Sequence, residues 1–274
     1  MTDISINIPL CSGCKTCTEV CPYFILKMDE SAEKPTVDPL KIANCCHCGH
    51  CEAVCPEGAI TVNYPGSGLV HGITKNNPIT PAQIGQHLMM RRSIRDYTVE
   101  LVPEETLRQI LEIIRYAPTG MNGQPVHWLV MRDPAEIHHL AGTIIEWGRD
   151  VVKNQPGHPL ASILPMIIEA WDHGADPVCH SAPCIVIAHG QKDNPNAFID
   201  SVIAMTHFDL VAPSFDLGTC WAGFVQIAAD ASPEVFQALH LPEGHRSQYA
   251  MLVGYPKFRF RRIPKRDALK VTWR

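Results

Sequence analysis

Cys11-Ser12-Gly13-Cys14-Lys15-Thr16-Cys17-Thr18-Glu19-Val20-Cys21-Pro22 decides how the N-terminal part of this chain folds. The design is repeated in Cys45-Cys46-His47-Cys48-Gly49-His50-Cys51-Glu52-Ala53-Val54-Cys55-Pro56. Each run supplies four thiols at the spacing x2, x2, x3 followed by Pro. Three closely spaced cysteines can meet three corners of an iron–sulfur cube from one tight loop. The fourth, just before Pro, points across to the neighbouring cube. That logic assigns Cys11, Cys14, Cys17 and Cys55 to one 4Fe–4S cluster, and Cys45, Cys48, Cys51 and Cys21 to the other. Zinc is the competing reading, because Cys-x2-Cys is also zinc spacing. Zinc has no use for a third Cys at x2 followed by x3-Cys-Pro, so single-electron carriage is the expected role of this segment.

The two runs resemble the bacterial two-cluster 4Fe–4S ferredoxins over about residues 4–64. Ile25 follows Cys21 by four residues and Ile60 follows Cys55 by five, each leading into a short apolar run, so the stretch has the look of an internal repeat. Between Cys21 and Cys45, Asp29, Glu30, Glu33, Lys34, Pro35, Asp38 and Pro39 suggest a surface loop. Cys46 is expected to pack as a small side chain. His47 and His50 are expected to be exposed, though either could donate a hydrogen bond that tunes a cluster.

The whole chain has 274 residues, room for this small domain plus a core of ordinary size. A formal net charge of −5 with no basic block argues against nucleic acid as a partner. No apolar run is long enough for a bilayer, and no signal-peptide pattern opens the chain, so no membrane role is expected. Eight of the twelve cysteines are claimed by clusters that need reduced thiolates, which points to the cytoplasm. Cys179, Cys184 and Cys220, like Cys46, share no spacing and are expected as buried small side chains.

Residues 65–81, rich in Gly, Pro and Asn, suggest a linker between a domain at 1–64 and another at 82–274. Gly66-Ser67-Gly68 lacks the third Gly of a dinucleotide fingerprint. Beyond it helix and strand signals alternate. Ile84, His87, Leu88 and Arg91 recur at helical spacing. Pro103-Glu104-Glu105 opens a helix buried through Leu107, Ile110, Leu111 and Ile114, and Asp133-Pro134-Ala135-Glu136 caps another that turns Ile137, Leu140, Ile144 and Val151 inward. Val126–Met131, Cys184–Ala188 and Tyr249–Val253 are strand candidates. Residues 196–217 predict a long core helix bending at Pro213 and stopping at Gly218, and Ser232-Pro233-Glu234 starts a further helix. Segment 152–182, broken by prolines, is either a lid or a connecting loop. The irregular mixture predicts an α+β fold with a central mixed sheet.

Four segments in this second part have the chemistry of a flavin site. Arg91-Arg92-Ser93-Ile94-Arg95 offers three guanidiniums and a hydroxyl to a phosphate and a polar ring edge. Ala117-Pro118-Thr119-Gly120-Met121-Asn122-Gly123-Gln124-Pro125 is a Gly-rich polar loop between a helix and a strand. Leu217-Gly218-Thr219-Cys220-Trp221-Ala222-Gly223 is a small-residue turn along which backbone can approach a flat ring. Arg259, Arg261, Arg262 and Lys265 form a basic cluster after the last strand.

In this order the segments resemble the FMN-dependent nitroreductase family, over about residues 82–264. The resemblance implies that Arg91, Arg92, Ser93 and Arg95 hold the flavin edge, ribityl chain and phosphate. It also implies that Pro118, Thr119, Gly120 and Asn122 reach the flavin from a partner subunit. Gly218, Thr219 and Cys220 would lie against the isoalloxazine, with Arg262, and Arg261 beside it, on the phosphate. An interlocked homodimer is implied as well. The expected activity is an oxidoreductase in which two 4Fe–4S clusters pass electrons to FMN and on to a small acceptor, such as a nitroaromatic or otherwise conjugated molecule. The donor is either an electron-transfer protein or NAD(P)H. The alternatives are an NAD(P)H-dependent nitroreductase with the clusters as outlet, and a carrier whose acceptor is another protein. No catalytic acid stands out.

Overall fold

The computed structural model describes residues 4–63, 72–73 and 78–274. Most of the expected linker, with Gly66-Ser67-Gly68, lies outside the described residues. The chain divides into two compact units, residues 1–78 with 120–123, and residues 79–119 with 124–274.

In the first unit β1 (Ile4–Ile6), α1 (Thr16–Val20), β2 (Leu26–Asp29), β3 (Lys34–Val37), α2 (His50–Ala53) and β4 (Ile60–Val62) follow in order. β1 pairs antiparallel with β4, and β2 with β3. The segment expected as a surface loop therefore contains a β-hairpin. Its charges face outward while Leu26 and Pro35 are buried, so the period-2 pattern was hidden by the acidic turn at Glu30–Glu33. The internal repeat is written in the backbone. Left-handed residues fall at matching offsets in the two halves: Gly13 (φ 76°) and His47 (50°), Lys15 (67°) and Gly49 (72°), Phe24 (53°) and Gly58 (62°). Gly13 is required twice over, since a Cβ there would also lie 2.8 Å from the Glu33 carbonyl.

The second unit contains α3 (Pro81–Met90), α4 (Glu104–Ile114), β5 (His127–Met131), α5 (Pro134–Asn154), α6 (Leu164–Asp172), β6 (Cys184–Gln191), α7 (Ala197–Val211), β7 (Gly218–Trp221), α8 (Gly223–Ala231), α9 (Pro233–Ala238) and β8 (His245–Gly254). The sheet order is β5-β6-β8-β7 and each neighbouring pair is antiparallel. The mixed character expected of it is confined to one parallel bridge, Ser93 to Thr219.

Helices cover both sheet faces. Ile185 and Ile187 of β6, with Ala250 and Leu252 of β8, pack under α5, α8 and α9. Cys184, Val186 and Ala188, with Met251 and Val253, pack against α4 and α7. Burial on both faces is why β6 shows as a continuous apolar run instead of an alternation. Asp133 caps α5 by accepting from the Ala135 N–H at 2.8 Å, and Ile137, Leu140, Ile144 and Val151 point inward. In α4, Leu107, Ile110 and Ile114 are buried and Leu111 is half-buried. α3 forms at its Thr80 capping box, yet none of its residues is buried. Segment 152–182 carries α6, which packs on α5.

The core helix ends earlier than its sequence suggests. α7 stops at Val211, a 3-10 turn follows over Ala212–Phe215, and Asp216 (φ 59°) takes the left-handed exit. Gly218 instead begins an edge strand, and the expected small-residue turn is β7. A glycine is needed there for closeness: a Cβ would lie 2.5 Å from Ile94 Cγ1 and 2.8 Å from Pro256 Cγ. Gly218→Ala should therefore cost about 1–3 kcal/mol in urea unfolding, through overpacking. An unchanged midpoint would show that the contact is slack.

At one end of the sheet His127, His189 and His245 meet, with His189 Nδ1 and His245 Nδ1 3.0 Å apart. Burial, and then the neighbouring His245 and His127, push His189 down to about 4. The unfolded chain binds the extra proton first, so this contribution is intact above about pH 6.5 and is lost as pH falls towards 4. His189→Gln should flatten the loss of stability between pH 7 and 4 by about 1–3 kcal/mol. Parallel stability curves for the two proteins would contradict the assignment.

Candidate functional site

In the first unit the electrostatic neighbours of two raised motif thiols, Cys17 and Cys51, are the cysteines that the spacing pairs with them. Burial, and then Cys14, Cys11 and Cys55 as neighbouring thiolates, push the Cys17 thiol up. Burial likewise raises Cys51, to about 11, with Cys48, Cys21 and Cys45 as its thiolate neighbours. Cys21, Cys45, Cys48 and Cys51 line one pocket together with Tyr23 and Ile25. Cys55 lies near Cys17, and Cys21 near Cys51, as a crossover of the fourth cysteines would require. Burial of Cys17 and Cys51 disfavours their bare thiolates, a cost that a bound cationic iron core would remove, while hydrogen bonds with Thr16 pull the exposed Cys14 down. Backbone donors already aim at the sulfurs: Ile25 N–H to Cys21 Sγ at 3.4 Å, Ala59 N–H to Cys55 Sγ at 3.2 Å, and Gly13 N–H to Cys11 Sγ at 3.4 Å. The first two sit at the same offset from their cysteines, which aligns Ile25 with Ala59 and not with Ile60. Donors of this kind tune cluster potential. Donor set and outer hydrogen bonds therefore both fit two 4Fe–4S clusters.

Cys46 is half-buried instead of buried, His50 is exposed, and His47 is half-buried with a left-handed backbone. Residues 120–123 belong to this unit. There the Asn122 amide donates to the carbonyls of Cys46 (3.2 Å) and His47 (3.0 Å). Gly120 and Asn122 are thus set among the cluster-loop residues, while Thr119 in the second unit accepts from the Gln124 N–H at 3.1 Å. Pro118 lies in the second unit too.

In the second unit two of the four flavin-site segments come together. Ser93 bridges Thr219, and the Ile94 N–H donates to the Thr219 carbonyl at 2.8 Å. Burial raises the Cys220 thiol, against the opposing pull of Arg95 and of a hydrogen bond with Ser93. Cys220 is buried at 4% exposure and packs in the core beneath the sheet. Arg92 turns back to the carbonyls of Met89 (2.8 Å) and Arg91 (2.5 Å), yet its second terminal nitrogen is buried without a partner. Arg95 is exposed beside Tyr97 and Cys220. Arg261 and Arg262 are exposed beyond the stretch where Tyr255 and Lys257 pair with Thr98 and Asp96. An unpartnered buried guanidinium nitrogen next to a close-packed glycine strand fits an anionic, flat cofactor such as FMN.

Sequence reading missed Asp209. It is 3% exposed, and its carboxylate accepts from Thr219 Oγ1, from Trp221 Nε1 at 3.0 Å and from Arg91 at 3.4 Å. The available signal was an acidic residue inside the otherwise apolar Phe208–Val211 stretch.

With fold and site in view, the comparisons with known proteins agree. The family model "Nitroreductase family" matches residues 88–255, and "4Fe-4S dicluster domain" matches residues 10–59. A Bacillus subtilis protein named FMN reductase [NAD(P)H] is 26% identical over 189 residues, 67% of this chain and 70% of that protein. A Thermus thermophilus NADH dehydrogenase is 51% identical over 47 residues, 17% of this chain and 23% of that protein. A Bacteroides fragilis nitroreductase solved with bound FMN superposes with a TM-score of 0.57 at 23% identity, covering 69% of this chain and 98% of that one. Two units of this kind define a flavin-dependent oxidoreductase joined to an iron–sulfur domain. The chain belongs to the nitroreductase family, and is an FMN-dependent oxidoreductase with a 4Fe–4S dicluster domain at residues 10–59.

Two outcomes check these sites. Cys21→Ser should degrade the EPR signal of the cluster held by Cys45, Cys48 and Cys51 and spare the other. Loss of only the cluster held by Cys11, Cys14 and Cys17 would reverse the assignment. Arg92→Ala should weaken FMN binding by about 1.5–3 kcal/mol, the worth of a charge-assisted hydrogen bond in a closed site, measured by fluorescence titration. Unchanged affinity would leave the buried nitrogen without a ligand role.

Proposed function

We propose that this chain takes electrons singly through two 4Fe–4S clusters, collects them at FMN and delivers them in pairs to a small acceptor. Cys11, Cys14, Cys17 and Cys55 would hold one cluster, and Cys45, Cys48, Cys51 and Cys21 the other. Arg91, Arg92, Ser93 and Arg95, with the backbone of Gly218, Thr219 and Cys220, would hold FMN, and Arg261 and Arg262 would reach its phosphate. When bound, the clusters move single electrons and FMN converts between one- and two-electron transfer. The protein's part is to fix those groups, exclude water and meet developing negative charge with guanidinium and backbone N–H donors. The observation that carries this reading is the pairing, in one chain, of two four-thiol sets with a buried, unpartnered Arg92 nitrogen.

A homodimer belongs to the same proposal. α7 is apolar on both sides: Ala204, Met205 and Phe208 face the core, while Phe198 and Ile199 stay 51% and 61% exposed on the other side. Val202, Ile203, Trp221 and Tyr249 continue that surface as one open pocket. Near the C-terminus Leu269, Val271 and Trp273 alternate with polar residues and are exposed, a strand-like apolar row that a second copy could cover. No helix among the described residues is long and apolar enough to cross a membrane. Thiolate ligation suits a reducing compartment, and we place the protein in the cytoplasm on that ground.

A second reading reverses the flow, with NAD(P)H reducing the flavin and the clusters as outlet. It is favoured by the name of the Bacillus subtilis relative, FMN reductase [NAD(P)H]. Cys48→Ser in the full chain separates the two. FMN should remain bound and still bleach with dithionite, while bleaching by reduced ferredoxin slows about tenfold or more, because a tethered relay acts at high effective concentration. An unchanged rate with ferredoxin, together with fast bleaching by NADH or NADPH, would favour the reversed flow.

A further inference from the structure

We infer that Asp209 is a positioning residue that sets the charge balance of the FMN site; the inference rests on the flavin reading above. Its carboxylate lies at the inner side of α7, 3% exposed, and three donors converge on it. Thr219 Oγ1 donates to Oδ1, while Trp221 Nε1 (3.0 Å) and an Arg91 nitrogen (3.4 Å) share Oδ2. Those donors come from the 91–95 segment and from β7, which meet again through the Ile94 N–H and the Thr219 carbonyl. One buried anion therefore ties α7 to both segments offered to the cofactor. A carboxylate withdrawn from water needs pairing and hydrogen bonds to offset its lost hydration, and this one has both.

The consequence is electrostatic. Three arginines crowd the 91–95 segment, which would strongly favour the negative charge that a flavin gains on reduction. Arg91 is delivered as half of an ion pair, with its partner nearly sealed from solvent (side-chain exposure 33% for Arg91, 5% for Asp209). Its charge is offset locally, and what remains for the cofactor is the unpartnered nitrogen of Arg92 and the exposed Arg95. Asp209 thus holds down the preference for reduced FMN and keeps the bound cofactor a stronger reductant than the arginine count implies.

The test is the midpoint potential of FMN bound to the full chain, titrated anaerobically at pH 8 against reference dyes. Asp209→Asn keeps the shape and removes the charge; its amide oxygen can still accept from Trp221 and Arg91, while its NH2 must donate to Thr219 Oγ1. The substitution should raise the preference for reduced over oxidised FMN about tenfold, the effect of one unit charge about 12 Å away at an effective dielectric of about 20. Arg91→Met leaves the carboxylate and should move the potential the opposite way. An unchanged potential in Asp209→Asn with FMN bound would overturn the inference and leave the flavin reading standing. If that variant does not fold, Arg91→Met decides alone, and an unchanged or raised potential overturns it. A wild-type chain that binds no FMN would overturn the flavin reading and this inference together.

Discussion

Thiolate geometry is the constraint on which the first unit depends. Its apolar core, among the described residues, is Ile4, Cys17, Ile25, Leu26, Ile60 and Val62. So small a core buries too little surface to offset the entropy of ordering the chain, and domains of this size are held by cross-links or metals. On the proposed ligation, two four-thiol sites would supply that hold and shape the backbone in return. To present three sulfurs from one tight loop the chain must turn left-handed at fixed places, and it does so at the same offsets in both halves. Glycine occupies one member of each matched pair, while His47, Lys15 and Phe24 accept the strained conformation in the other. On the proposed ligation, folding of this unit and loading of its clusters would be one process.

The second unit obeys a different rule. Burial on both faces of its sheet fixes the fold, and function is placed where packing leaves gaps. Gly218 lets the edge strand lie against Ile94 and Pro256, and the Arg92 nitrogen faces inward without a partner. Asp209 is the counterweight. A charged group in a core helix is unfavourable unless paired, and its three donors are drawn from the segments that the cofactor needs held still.

What the sequence made legible follows from which interactions are local. Cysteine spacing is a one-dimensional record of ligand geometry, so the 4Fe–4S domain could be recognised from it. Periodicity found α4 and α5 for the same reason, and an unbroken apolar run found β6. The β2–β3 hairpin was hidden because its turn carries the charges that ordinarily mark a loop. α8 escaped notice because Gly223, Ala228, Ala229 and Ala231 are small and weakly periodic. Asp209 was invisible for a deeper reason: its meaning lies in donors ten, twelve and 118 positions away, and only the fold brings them together.

The central claim is that the clusters feed the flavin within one assembled protein. The direct measurement is rapid-mixing absorbance of the holoprotein with a limiting one-electron donor, followed at cluster and flavin wavelengths over a range of protein concentrations. The account predicts that the clusters bleach first, and that flavin bleaching then follows at a rate independent of protein concentration. Flavin bleaching that precedes the clusters, or whose rate rises in proportion to protein concentration, would contradict it.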